Sequence, residues 1–497
     1  MSNKTYESFQ KQYFLSTEEP KRKIPEDWVV ENISKWKLYF DPKIGCQKLS
    51  KGDINLIFLG FAFHIKEPET TQSEISGELI KRSNDPLDYL DDLCGRFLIL
   101  LEQNNKIQVY HDASSSFKVF YRMRESGIDL LGYDPKILNH YYNLDKDESK
   151  EANKFYGLKK FKLHAIKLGN RSSYLNTFQL LPNHYLDLTN SKIVRIFPRK
   201  QIIKYSIDEA VKLTSLYFSN VIRAANVRFP KVNMTITAGW DSKVLLSHVN
   251  EIKDDIYFYL FNKSNLEDDN VDFVISKKIV DDHNLDFSIY DVTKNVDPTI
   301  VRKVEDSFSF IGEQNLAMTS NGINNFHPEE VLILGYLSEI TKNFFEGFNI
   351  QNEQRFCFSA KLPTISYCEI YFKEYLNKNK ETIPSFGYEF NDIAHWEQDI
   401  TNFAASRMSI YNTYINVFSP FNSRTILSTI LGVNKKHRAG YTNLFFKKLI
   451  EYNWPKLNDY PVNPTKSKKL ITLKKKLGVY GVKKELDYLV YKRKQDK

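Results

Sequence analysis

The chain reads as a two-part α/β protein, with an antiparallel β-rich first half and a doubly wound parallel-sheet second half that ends in helices. Three observations carry this reading. Residues 94–101 and 106–112 are apolar, strand-like runs joined at Gln103-Asn104-Asn105, a hairpin turn. From Ile207 the period turns helical, with Ala210, Val211, Leu213, Leu216, Tyr217, Val221, Ile222 and Ala225 on one stripe. Strand-like and helical runs then alternate, the mark of a parallel sheet built from βαβ units.

Taken in order, residues 1–50 carry Pro20, Pro25 and Pro42 and are expected to form an irregular segment. A β-rich domain follows over 51–200. It opens with a buried strand at 54–63, then a short helix at 87–93, the hairpin, and further strands at 118–122 and 128–133. The charge run at 145–154 fits a solvated loop or helix face. Strand patterning stops near 198–206, and a second domain spans 206–465. Its parallel strands are expected at 232–237, 256–261, 286–290 and 331–334, with a helix over 271–283. The last third is expected to be helical, including one helix from His395 through Met408. A basic tail occupies 466–497.

Composition excludes several classes. Of 497 residues, 42% are apolar and 14% aromatic, which fits a globular chain and not a disordered one. No apolar run approaches the ~20 residues of a membrane span. Met1-Ser2-Asn3-Lys4-Thr5 is polar and offers no apolar signal segment. Cys46, Cys94, Cys357 and Cys368 are scattered with no C-x-x-C, which fits a cytoplasmic thiol protein and argues against a metal cluster. The net charge is +9, and residues 466–497 hold 12 Lys/Arg against three acids, the same +9. The rest is neutral, which argues against a general nucleic-acid coat. Leu470, Leu473, Leu477 and Tyr480 lie at helical spacing among the tail's lysines, which leaves open a contact with nucleic acid or an anionic membrane.

The stretch 232–246 carries the chemistry. Val232, Thr235, Ile236 and Thr237 suit a strand, Ala238-Gly239 a small-residue turn, and Asp241 and Ser242 the first turn of a helix. Such a corner presents unpaired N–H groups and the positive end of a helix dipole to an anion. Thr237 and Ser242 add hydroxyl donors, and Lys243 can offset phosphate charge. Asp241 repels phosphate unless a cation bridges them, and Mg²⁺ is the usual choice. No Walker A pattern is present. The alternative is an ordinary strand–turn–helix corner.

Thr237-Ala238-Gly239-Trp240-Asp241-Ser242 resembles the pyrophosphate loop of the asparagine synthetase family, usually Ser-Gly-Gly-x-Asp-Ser. Other segments resemble the family in the family's order: Gly95-Arg96-Phe97, His111-Asp112, Phe120-Tyr121, residues 176–184, Gly335 with Glu339, and 418–424. The resemblance implies an Ntn-type glutaminase-like first domain and an ATP-pyrophosphatase second domain. It implies ATP and Mg²⁺ as cofactors, with Thr237, Ala238, Gly239, Trp240, Asp241, Ser242, Lys243 and Gly335 around the polyphosphate. Leu260, with Phe261 and Asn262, would wall the adenine side; the other reading places Leu260 and Phe261 in the core. Asp241 and Glu339 would hold the metal, with Glu339 where the family carries Asp and Ile340 where it carries Glu. Lys466, with Lys468 as a rival, would stabilise the adenylate or the departing pyrophosphate.

The family's glutaminase uses a cysteine directly after the initiator Met, placed on a strand. Here that residue is Ser2, followed by a polar stretch, so glutamine hydrolysis is expected to be absent. The implied reaction is ATP-dependent amide formation. A substrate carboxylate is adenylated, and ammonia or a substrate amine displaces AMP. The other reading is a nucleotide-binding relative without catalysis that acts through interactions.

Overall fold

The first half builds two six-stranded antiparallel sheets. Its strands are Tyr13–Ser16 (β1), Val29–Ile33 (β2), Trp36–Phe40 (β3), Cys46–Lys51 (β4), Ile54–His64 (β5), Leu93–Gln103 (β6), Lys106–His111 (β7), Phe120–Arg124 (β8), Gly127–Gly132 (β9), Thr177–Gln179 (β10), His184–Asp187 (β11) and Lys192–Arg195 (β12). One sheet runs β10-β8-β9-β1-β3-β2 and the other β12-β11-β7-β6-β5-β4. The structure is a computed structural model that describes residues 8–159, 161, 167–262, 270–291, 297–309, 311–342, 348–439, 443–464 and 479–495.

Period-two alternation sorts these strands into layers. Ile57, Leu59, Leu98 and Leu100 face Leu15, Leu38 and Leu131 of the other sheet. Their neighbours Leu56, Phe58, Phe97 and Ile99 face outward onto Ile75, Leu79 and Ile80 of a helix, Gln72–Lys81 (α1). On the far side, Phe14, Tyr39, Phe120 and Leu130 pack on Ile137, Leu138 and Tyr141 of Pro135–Tyr142 (α2). The order is therefore helix, sheet, sheet, helix. The hairpin forms as expected, because Asn104 and Asn105 both take left-handed φ values, 49° and 59°.

Two expectations for this half need correction. Within the segment 1–50, residues 8–50 are not irregular, since β1 to β4 lie largely among them. The prolines fall in the connections, and Pro42 opens a short 3₁₀ turn, Pro42–Ile44. The helix expected over 87–93 ends earlier, spanning Leu87–Asp91, because Leu93 already pairs with His64 in β6.

The second half begins at Ile207, as the periodicity indicates. Ser206 caps Ile207–Arg228 (α3) in a reciprocal pair with Glu209. Five parallel strands follow: Val232–Thr235 (β13), Ile256–Asn262 (β14), Phe287–Asp291 (β15), Val331–Ile333 (β16) and Asn416–Phe418 (β17). Their order is β15-β14-β13-β16-β17. Val232, Met234, Phe258, Val331 and Ile333 pack on α3 through Phe218, Val221, Ile222 and Ala225. The other face, with Tyr259, Leu332 and Val417, joins the core that lies between the two antiparallel sheets.

Strand β17 has no counterpart in the expected strands. The single helix expected from His395 through Met408 is in fact interrupted. Phe390–Ala394 runs into a π-helical turn, His395–Ile400, and helix resumes at Ala404–Tyr411. Thr401 and Asn402 divert their side chains onto the carbonyls of Trp396 and Gln398, and Phe403 sits at φ −117°, ψ −73°. Among the described residues no helix is long and apolar enough to cross a membrane.

The halves are joined by buried polar groups. Asn422 donates to Gly95 O at 2.5 Å and Asp112 Oδ1 at 3.0 Å, so three of the family-like segments meet at one seam. Glu397 is fully buried. It takes Arg195 at 2.6 and 2.9 Å, Tyr375 Oη at 2.7 Å and Asn183 Nδ2 at 3.1 Å. Burial pushes the Glu397 carboxyl up, but the Arg195 charge and hydrogen bonds outweigh it and hold it below the usual range. Glu397→Ala should cost about 3–5 kcal/mol at neutral pH, because it leaves the largely buried Arg195 guanidinium without its carboxylate, with only Asn379 Oδ1 and the Phe197 carbonyl still accepting from it. A pKa depressed on folding stabilises above the unfolded value and loses that contribution as pH falls through the folded one. The wild-type advantage in urea unfolding should therefore shrink on acidification, and a pH-independent difference would refute this account.

Candidate functional site

The β13 loop leaves the sheet where its order reverses, between β14 on one side and β16 on the other. Ile236 continues the ladder by donating to Tyr259 O at 3.0 Å. Thr237, Ala238 and Gly239 turn the chain, and Trp240–Ser247 forms a helix (α4) with Gly239 as its N-cap. That glycine has no side chain to satisfy the first-turn amides. The helix start is thus as expected, one residue ahead of Asp241.

The loop's own polar groups are largely committed to each other. Thr237 Oγ1 and Ser242 Oγ lie 2.8 Å apart, and Ser242 Oγ accepts the Thr237 N–H at 3.1 Å. The Gly239 N–H donates to Thr237 Oγ1 at 3.2 Å. Val271–His283 (α5) braces the corner from outside. Asp272 Oδ1 accepts the Ala238 N–H at 2.9 Å, and one turn on, Ser276 donates to Ile236 O at 2.9 Å. The anion that meets the Ala238 amide is therefore a carboxylate of the chain itself.

Lys243 departs from its expected role. It is 1% exposed, and its ammonium donates to Tyr460 O at 2.7 Å and Pro461 O at 2.9 Å. It fastens the segment after residue 459 to α4 instead of facing a phosphate. That segment returns to the loop at Asn463, whose N–H donates to Ala238 O at 3.0 Å. Lys466 and Lys468 lie outside the described residues, as do Ser2, Leu470, Leu473 and Leu477. Trp240 is half-buried and packs against the core shared with α3. Leu260 is buried at the end of β14, and Phe261 packs among Tyr259, Tyr290 and Phe326, which matches the core reading for Phe261.

On the neighbouring strand, β16 ends at Ile333 and the chain turns at Gly335 into the 3₁₀ turn Ser338–Thr341. A methyl group on Gly335 would sit 2.8 Å from Asp241 Cβ, so only glycine lets the two loops close. Asp241 and Glu339, 98 residues apart, are brought to one point. The atom at that point is Lys342 Nζ, 2.5 Å from Asp241 Oδ1 and 2.7 Å from Glu339 Oε1. Burial raises the Asp241 carboxyl, Lys342 opposes this and Glu339 adds to it, with a net upward shift. Burial lowers the Lys342 ammonium, but the two carboxylates outweigh it and hold it above the usual lysine value.

This arrangement bears on the expected Mg²⁺. Among the described residues no three His, Cys, Asp or Glu side chains gather into a metal site. The two carboxylates that do converge already share an ammonium. As it stands, the donor set does not fit a divalent ion. Lys342 and Asp272 were not singled out from the sequence. Their only signal is spacing: Lys342 stands three residues after Glu339 in one turn, and Asp272 lies in the first turn of α5.

No protein-family model matches the chain, and no curated protein matches it. The resemblance therefore rests on the segments named above and on their placement. Gly335→Ala should force the two loops apart. We expect a loss of about 1–3 kcal/mol in urea unfolding, as for other overpacked sites; unchanged stability would show that the close approach carries no constraint.

Proposed function

We propose that the chain is an ATP-dependent ligase that adenylates a carboxylate and joins it to ammonia or a substrate amine, without a glutaminase of its own. The observation that carries the reading is the position of the Thr237–Ser242 corner. It sits at the carboxyl end of the central strand, at the switch point of a parallel sheet, opposite the Gly335 turn. Sheets of this kind bind nucleotides in that crevice.

In this reading a carboxylate oxygen of the substrate attacks the α-phosphorus of ATP. The bond to the bridging oxygen breaks, and pyrophosphate leaves. A nitrogen nucleophile then adds to the acyl carbon, loses its proton, and AMP departs. The first-turn amides of α4 and the Lys342 ammonium would face the polyphosphate charge. Asp241 would hold Lys342 in place. Lys466 remains the proposed cation for the departing group. The four cysteines are unpaired, which supports a reducing, cytoplasmic setting.

A second reading is a nucleotide-binding protein that acts through interactions. It is favoured by the loop's internal hydrogen bonds and by the burial of Lys243. ATP–pyrophosphate exchange with a panel of amino-acid, peptide and sugar-acid carboxylates separates the two. We expect exchange with at least one, and Asp241→Asn should lower it by about 100-fold or more with the fold intact. Tight ATP binding with no exchange on any carboxylate would favour the second reading, and undiminished exchange in the variant would remove Asp241 from the site.

A further inference from the structure

Asp241 and Glu339 reach their meeting point from separate elements, the first turn of α4 and the turn after β16. A Mg²⁺ ion bridging them would need carboxylate oxygens at about 2.1 Å. The Lys342 ammonium occupies the same point, and the two cations exclude each other. The lysine is also held there. It follows Glu339 by three residues, its backbone N–H donates to Glu339 O at 3.2 Å, and Thr341 Oγ1 donates to Ser338 O at 2.7 Å. From the other side, the buried Arg438 donates to Thr341 O at 2.8 Å while pairing with Asp392 at 2.8 Å. The turn is thus closed on itself and fastened to Arg438 through Thr341. The Lys342 side chain is only 12% exposed, so what holds the ammonium against its lost hydration is the pair of carboxylates, and leaving would break both ion pairs at once.

We propose that Lys342 is a built-in cation that closes the Asp241–Glu339 pair to divalent metal ions in the free protein. The charge a protein-held metal would supply at this corner comes instead from the ammonium, and a polyphosphate entering the cleft meets a lysine. The inference concerns the free protein and the metal alone, so it stands or falls separately from the adenylation reading.

Mn²⁺ titration of the full-length protein without nucleotide, followed by electron paramagnetic resonance, tests it. The wild type should show no bound Mn²⁺ that Asp241→Asn removes. Lys342→Met and Lys342→Gln should each gain a single bound Mn²⁺ per chain, and adding Asp241→Asn to either should abolish it. Circular dichroism and thermal melting establish that the variants are folded. A wild-type Mn²⁺ site lost in Asp241→Asn would overturn the proposal, and that comparison needs no lysine variant. Folded Lys342 variants that gain no site would also overturn it, because the lysine would then not be what keeps the metal out.

Discussion

The site depends on a steric constraint: β16 must turn away at a residue without a side chain, because Asp241 lies against it. The 2.8 Å approach of a Gly335 Cβ to Asp241 Cβ sets how closely the two loops meet. Everything charged at the corner follows from that closeness. Glu339 arrives one turn beyond Gly335 and Lys342 one turn beyond Glu339, and the Lys342 ammonium joins the Glu339 and Asp241 carboxylates. The parallel register of β13 with β16, Val232 opposite Val331 and Met234 opposite Ile333, brings the two strand ends level.

The corner is braced by elements outside its two loops. Asp272 and Ser276 hold the two ends of the loop from one face of α5, and Lys243 ties α4 to the segment at residues 460–463. The antiparallel half is not an appendage to this. Its inner core is continuous with the back of the parallel sheet, and Asn422, Asp112, Arg195 and Glu397 stitch the two halves with buried hydrogen bonds. A buried carboxylate such as Glu397 is tolerated only because three neighbours donate to it at once.

Long-period features were legible in the sequence. The 22-residue stripe of α3, the β6–β7 hairpin and the alternation of β13, β14, β15 and β16 with helices all follow from periodicity and turn chemistry. Short or half-exposed elements were not. β2 alternates exposed and part-buried residues, with Val30 and Asn32 in water and Glu31 on the part-buried face, and β4 is an edge strand with most side chains in water, so neither shows a clean apolar face. β17 has three residues, too few to show a period. At the site, the loop residues and the convergence of Asp241 with Glu339 were legible. The direction of Lys243 was not, because a helix-start lysine can swing to solvent or inward, and only the docked 460–463 segment decides it. Lys342 was hidden for the opposite reason: a lysine three residues after an acid is the commonest of surface patterns, and its meaning appears only when a second carboxylate arrives from a distant strand.

The central claim is that a nucleotide binds at the corner formed by residues 237–243 and 335–342. Amide hydrogen exchange of the full-length protein, with and without saturating ATP, tests it most directly. The account predicts slowed exchange in the peptides covering those two segments, with the largest change in the first turn of α4. Unchanged exchange there, with protection appearing in another part of the molecule, would contradict it.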